Sequence, residues 1–282
     1  PPGIGPRRRL LCPVMGQLIA IEGLDGAGKN TLVTALTAIW QSAGLRVAHF
    51  TFPRYGQSVH ADLASEARHG SHGDLCESVY AMALMFALDR REARSSIAAA
   101  AADCDIVVCD RYVASNAAYN AGRLLQDAGG EVVSWVDTLE FGRFGLPVPD
   151  RHVLLGVTPE VAMSRARGRA ESDAARMRDV YERDDSLQRR VDDVYHQLAQ
   201  SNWRSPWILT DGSDPAALAA ELHPLDLNVL VTEVLQLYGS ENAAVPVVAE
   251  LDSHCPPVMG DAQQLRQVVH NLLQNAQDAT EQ

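Results

Sequence analysis

The chain has 282 residues, 46% of them apolar, which suits one large domain or two modest ones with a sizeable core and excludes a disordered chain. Its formal net charge of −12 excludes a general binder of nucleic acid or acidic membranes, so any anionic ligand must be held by a local cluster of cations. No apolar run approaches a membrane span, the opening residues lack a signal-peptide core, and five scattered cysteines show no CxxC pair, so a cytoplasmic protein with reduced cysteines is expected.

Residues 1–14 read as an extension, because Met15-Gly16 directly precedes the first apolar run, Gln17 to Glu22. Gly23-Leu24-Asp25-Gly26-Ala27-Gly28-Lys29-Asn30-Thr31 follows, and then Leu32, Val33, Leu36 and Ile39 fall at helical spacing. Strand, glycine loop and helix are what a phosphate-binding P-loop requires. Gly23, Gly26 and Gly28 let backbone N–H groups curl around an anion at a helix N-terminus. Of the 24 basic residues 23 are arginine, and Lys29 is the one lysine. The exception stands where a compact ammonium must reach between phosphates, a task the planar guanidinium does differently.

Further strands are expected at Arg46 to Thr51, Asp105 to Asp110, His152 to Val157 and Trp207 to Thr210, alternating with helices at 57–70, 75–102, 116–142, 158–170 and 179–201. This alternation predicts an α/β fold of the P-loop type, a five-stranded parallel sheet with helices on both faces and ligands at the carboxyl ends of the strands. Phe52-Pro53-Arg54-Tyr55-Gly56 follows the second strand and Asp110-Arg111-Tyr112 closes the third, with Asp110 in the position of a Walker-B-type acid. Phe86 and Arg90, four apart, share a helix face as an aromatic plate beside a planar donor, suited to a purine or pyrimidine. Asn116 and Tyr119, three apart, share another face. Arg165, Arg169 and Arg176 belong to an arginine-rich stretch expected to form a lid over about 165–180, with Gly168 and the polar run 170–175 interrupting its helix.

From about Gly16 to Leu222 the sequence resembles the thymidylate kinases of the bacterial kind, carried by EGLDGAGKNT, FPRYGQS, YAMALMFALDR, DRYVASNAAY and a lid ending in YERD, in that order. The resemblance implies ATP-dependent phosphorylation of dTMP to dTDP with Mg2+ in a homodimer, and a domain over 15–222. Lys29 and the loop amides would hold the ATP phosphates together with Gly23, Gly26, Gly28, Asn30, Thr31 and Arg176. Asp25 would lie by the acceptor phosphate and metal, and Arg54 and Arg111 would grip the dTMP 5′-phosphate. Phe86 would stack on thymine, Arg90 and Asn116 would bond its edge, Tyr119 would pack against the deoxyribose, and Phe52 and Tyr181 would touch substrate. Arg165, Arg169 and Arg176 would supply the arginine that this P-loop lacks, with Glu182 facing phosphates or metal. Asn30 departs from the Ser or Thr usual after the lysine, and Thr31 comes one position late, so the metal falls to Asp25, Asp110, Glu182 and the phosphates. The alternatives are a kinase for another deoxynucleotide or nucleoside, or a signalling protein that only senses nucleotide.

Residues 223–282 read as a separate fragment, with eight acids against the single Arg266. Helices are expected over Leu225 to Tyr238 and Asp261 to Ala279, with a strand at Val245 to Leu251. The run Gln264 to Ala279, with Asn275, resembles the N-box of sensor histidine kinases. The glycine-rich boxes that complete that pocket do not follow, so a truncated small α/β ATPase fragment fused to a whole enzyme is expected, without a second ATP site.

Overall fold

A computed structural model describes residues 16–172, 185–222, 227–238, 249–252, 255 and 262–280. These residues fall into two compact units, one within Pro1–Thr34 and Leu45–Ser213, the other within Ala35–Gly44 and Asp214–Gln282.

The first unit is built on five parallel strands, β1 (Gln17–Glu22), β2 (Val47–Thr51), β3 (Ile106–Asp110), β4 (Arg151–Leu155) and β5 (Trp207–Thr210), in the order β2-β3-β1-β4-β5. β1 and β3 are central and almost wholly buried, and they read as near-continuous apolar runs, as strands covered on both faces do. Their register sets Ile21 beside Asp110, so the loop leaving β1 and the acid closing β3 emerge together at the carboxyl edge. Helices α1 (Lys29–Ser42), α2 (Val59–Arg68), α3 (Val79–Asp103), α4 (Val113–Arg123), α5 (Glu131–Asp137), α6 (Pro159–Ser172) and α7 (Asp185–Gln200) fill the connections and cover both faces. The core joins Leu18, Ala20 and Val107 of the sheet to Ile97, Ala117 and Val132, and to Val191, Tyr195 and Leu198 of α7.

The expected continuous helix over 116–142 is divided. α4 ends at Arg123, Leu125 takes a left-handed φ of 56°, and α5 starts after Gly130. Asp127-Ala128-Gly129-Gly130 is a cluster of turn formers, and the Gln126 amide oxygen accepts from the Val132 N–H at 2.9 Å to seat the new helix. A six-residue π-helix, Thr138–Arg143, then continues directly from α5. Gly168 does not break its helix, since α6 runs through it to Ser172. A single interior glycine costs only about 1 kcal/mol.

Near the edge of this unit, His152 stacks on Trp207 with ring centroids 4.4 Å apart, and one ring nitrogen lies 2.8 Å from the Ser205 hydroxyl. Burial pushes the imidazole down to about 3. The neutral ring therefore contributes stability that is complete above about 6.5 and is lost as pH falls toward 3, because the unfolded chain takes the proton first. His152→Phe is expected to flatten the fall of melting temperature with pH across that window. Parallel wild-type and variant curves would refute this.

In the second unit the Trp40 indole N–H donates to the Ala219 carbonyl at 3.2 Å, and α8 (Pro215–Leu222), which sequence periodicity missed, buries Leu218, Ala219 and Leu222. α9 (Leu227–Tyr238) packs Leu230 and Val234 against Ala43 and against Leu265, Val269 and Leu273 of α10 (Ala262–Thr280). Val229 and Leu272 are exposed. Most of the strand expected at Val245 to Leu251 lies outside the described residues, and its described end, Ala249 to Leu251, is not in a strand.

Candidate active site

The loop leaving β1 has the backbone a phosphate cradle needs. Gly23, Gly26 and Gly28 have φ of 140°, 93° and 104°, values that L side chains rarely adopt. A Cβ on Gly23 would also stand 2.9 Å from the Leu155 carbonyl oxygen. α1 starts at Lys29, immediately after the third glycine. The Lys29 ammonium folds back over the loop and donates to the carbonyls of Gly23 and Leu24 at 3.0 and 2.8 Å. Burial and then the neighbouring Arg111 charge push its pKa down to about 8, against the opposing pull of Asp25, Asp110 and Glu22. Asn30 and Thr31 are exposed on the first turn of α1.

Facing the lysine is a charged cluster. Arg111, held at φ 64° just after β3, donates its backbone N–H to Ile21 at 2.9 Å. Its guanidinium reaches Asp25 at 2.5 Å and Ser115 at 3.0 Å and lies 5.2 Å over the Tyr119 ring. The Tyr119 hydroxyl donates to the other Asp25 oxygen at 2.8 Å. Burial works against the Asp25 charge, but Arg111 and Lys29 hold its carboxyl well below the usual carboxylate range.

Beneath this cluster lies Glu22, which sequence reasoning missed. It is fully buried and accepts from the Tyr112 backbone N–H at 2.9 Å, from Ser115 at 2.6 Å and from Tyr195 at 3.1 Å. Tyr112 is the N-cap of α4 and has no side-chain cap of its own, so Glu22 acts as the acidic cap of the helix that carries Ser115, Asn116 and Tyr119.

Arg54 is gripped by acids. Its Nε donates to Asp89 at 2.8 Å and its Nη2 to Glu92 at 3.1 Å. Phe52, expected to touch substrate, is 1% exposed and packs in the core, tilted against Tyr112. Phe86 is partly buried, with the Arg68 guanidinium 5.7 Å above its ring. Arg90 and Asn116, expected at a base edge, converge on Glu140 of the π-helix, a second residue the sequence did not disclose. Arg165 on α6 donates to the Ala27 carbonyl of the glycine loop at 3.2 Å. Arg176, Tyr181 and Glu182 lie outside the described residues, as does the side chain of Arg169.

Among the described residues no group of three or more His, Cys, Asp or Glu could by itself hold a metal ion. Magnesium does not need one: it takes one or two carboxylates and completes its shell with phosphate oxygens and water. Asp110 offers a buried Oδ1 with no hydrogen-bond partner in the structure, and Asp25 supplies a second carboxylate that stays ionised. This donor set fits such an ion.

Residues 21–218 match the sequence model of the thymidylate kinase family. The chain belongs to that family. It is 54% identical over 211 residues to the thymidylate kinase of Mycobacterium tuberculosis (strain H37Rv), a match that covers 74% of this chain and 99% of that protein. It is 36% identical over 161 residues to the thymidylate kinase of Xanthomonas oryzae pv. oryzae (strain PXO99A), covering 56% of this chain and 63% of the relative. A probable thymidylate kinase of Staphylothermus marinus is 32% identical over 154 residues, 54% and 69% of the two chains. As a thymidylate kinase family member this chain is a phosphotransferase, with the parallel sheet and P-loop described above. The family match ends at Leu218 and lends no support to the resemblance of residues 223–282 to a histidine-kinase fragment.

Proposed function

We propose that this chain phosphorylates dTMP to dTDP with ATP as donor and Mg2+ as cofactor, and that the cluster of Lys29, Asp25, Arg111 and Tyr119 is where donor and acceptor phosphates meet. The observation that carries the reading is the Asp25–Arg111 pair, set against a P-loop whose lysine is buried beside it. Lys29 leaves its loop carbonyls for the β and γ phosphates of ATP, with the loop amides beneath. Arg111 and the Nη1 edge of Arg54 bind the dTMP phosphate, and Asp25 and Asp110 would hold magnesium, whose chemistry is neutralisation of charge on the transferring group. Tyr119 lies on the deoxyribose side, and Phe86, Arg90 and Asn116 read the base. Arg165, with Arg169 and Arg176, closes over the phosphates; Tyr181 and Glu182 complete substrate and metal contacts from the lid. The test is coupled turnover on the full chain with dTMP, dUMP, dCMP and thymidine, where dTMP is expected to dominate. ATP binding with no turnover on any of them would overturn the assignment in favour of a nucleotide sensor.

No described helix is long and apolar enough to cross a membrane. The natural setting proposed for this kinase is the cytoplasm. The active form is a homodimer formed along α3, where Ala81, Leu84 and Leu88 keep partial exposure at helical spacing, and solution mass tests this. The tail is an accessory piece without a second ATP site. A chain ending at Leu222 is expected to keep full dTMP kinase activity, because every assigned chemical group lies between Gly23 and Glu182. Loss of turnover on that truncation, or a second ATP site in calorimetry that vanishes with Asn275→Ala, would refute this.

A further inference from the structure

Glu140 lies at the crossing of three elements, and its surroundings fix the polarity of two side chains at once. It belongs to the π-helix, in which the Phe144 N–H bonds back five residues to the Leu139 carbonyl at 2.9 Å. Its carboxylate is fully buried and accepts from Arg90 in bidentate fashion, Nε to Oε2 at 2.6 Å and Nη2 to Oε1 at 2.7 Å. Oε1 also accepts from the Asn116 amide at 2.8 Å.

The Asn116 amide is thereby locked. Its Nδ2 donates both to Glu140 and to the Ala83 carbonyl at 3.0 Å, and its Oδ1 accepts from Asn120 Nδ2 at 2.8 Å. Flipping the amide would set an oxygen against two acceptors and a nitrogen against a donor. An asparagine amide has two donors and two acceptor sites, so what remains to Asn116 is one acceptor lone pair. Arg90 has given Nε and one Nη2 proton to Glu140, and everything it has left is a donor. One acceptor beside donors complements an imide edge, with N–H at N3 and a carbonyl at C4, as in thymine. In the register that sets the Asn116 acceptor at N3 and the Arg90 donors at C4 it opposes cytosine, which presents an acceptor at N3 and an amino donor at C4.

We propose that Glu140 is the specificity-determining positioning residue of this enzyme, holding Asn116 and Arg90 in the one polarity that accepts a thymine edge and rejects a cytosine edge. The proposal rests on the reading above that Arg90 and Asn116 face the base. Glu140 touches no substrate and acts through these two side chains.

The experiment is steady-state kinetics on the full chain with dTMP and dCMP, for wild type, Glu140→Gln and Glu140→Asp, with each variant's fold checked by circular dichroism. A glutamine amide presents one donor where the carboxylate presents two acceptors, so Asn116 loses one of the contacts that fix its polarity and the bidentate hold on Arg90 is broken. The ratio of kcat/KM for dTMP over dCMP is expected to fall at least ~10-fold in Glu140→Gln, chiefly through a higher KM for dTMP. The shorter carboxylate of Glu140→Asp cannot reach both partners, and a smaller change in the same direction is expected. That variant decides the matter if Glu140→Gln does not fold. An unchanged ratio and unchanged KM in a folded variant would overturn the proposal, as would a loss confined to kcat. Wild-type enzyme that fails to prefer dTMP would instead overturn the reading on which it rests.

Discussion

Lys29→Arg, ordinarily a conservative exchange, is expected to lower turnover at least ~100-fold, the scale on which a preorganised charge contact to a transferring group is felt. The lysine is 8% exposed, and the turn that holds it is narrow enough for its ammonium to bond two successive carbonyls, those of Gly23 and Leu24. A guanidinium is larger and planar and cannot occupy that position with the same reach. It would also bring a second arginine head against Arg111, whose charge already disfavours the protonated lysine. The loss is expected in kcat with dTMP and ATP both saturating, while the KM for dTMP moves little because Arg111, Arg90 and Asn116 are untouched. Near-normal turnover in a folded Lys29→Arg enzyme would remove the P-loop from the mechanism.

The largest effect on stability is expected at Glu22. Glu22→Ala takes an acceptor from the Tyr112 backbone N–H, Ser115 and the buried Tyr195 at once, and the Ser115–Tyr195 contact at 2.8 Å can re-pair only one of the two hydroxyl donors. Each buried group left unpaired costs about 1–3 kcal/mol, so a loss of roughly 3–5 kcal/mol is expected from denaturant unfolding. Burial raises the Glu22 pKa above the ordinary carboxylate value, even though Ser115 and Arg111 pull the other way. Its stability contribution is therefore complete below the unfolded pKa and declines as pH rises through the folded one. Glu22→Gln keeps an acceptor and cannot ionise, so its cost should be smaller and should shrink as pH rises across that window. A cost below 1 kcal/mol for Glu22→Ala would mean that water satisfies these donors.

What the sequence disclosed of the site is what has a local signature. The glycine loop could be read because left-handed backbone leaves glycines at fixed spacing, and Lys29 because it has no competitor anywhere in the chain. Arg165 could be read from its position in an arginine run, and it does reach the loop. Glu22 and Glu140 were not legible, since a buried acid is defined by its partners. Those partners are 90, 93 and 173 residues away for Glu22, and 50 and 24 residues away for Glu140. The break between α4 and α5 had a signal in Gly129-Gly130, which the apolar spacing on either side outweighed.

The solitary ε-amine also makes this chain a natural single-site reporter. With a pKa near 8, Lys29 is substantially unprotonated in mildly alkaline buffer, so an acylating label directed at side-chain amines has one destination in the whole sequence. That destination is the glycine loop proposed to bind ATP, so the rate at which the label attaches reports on how often the lysine releases its two loop carbonyls. Enzymatic lysine acylation, were it to occur on this chain, would have nowhere to act except on the phosphate loop.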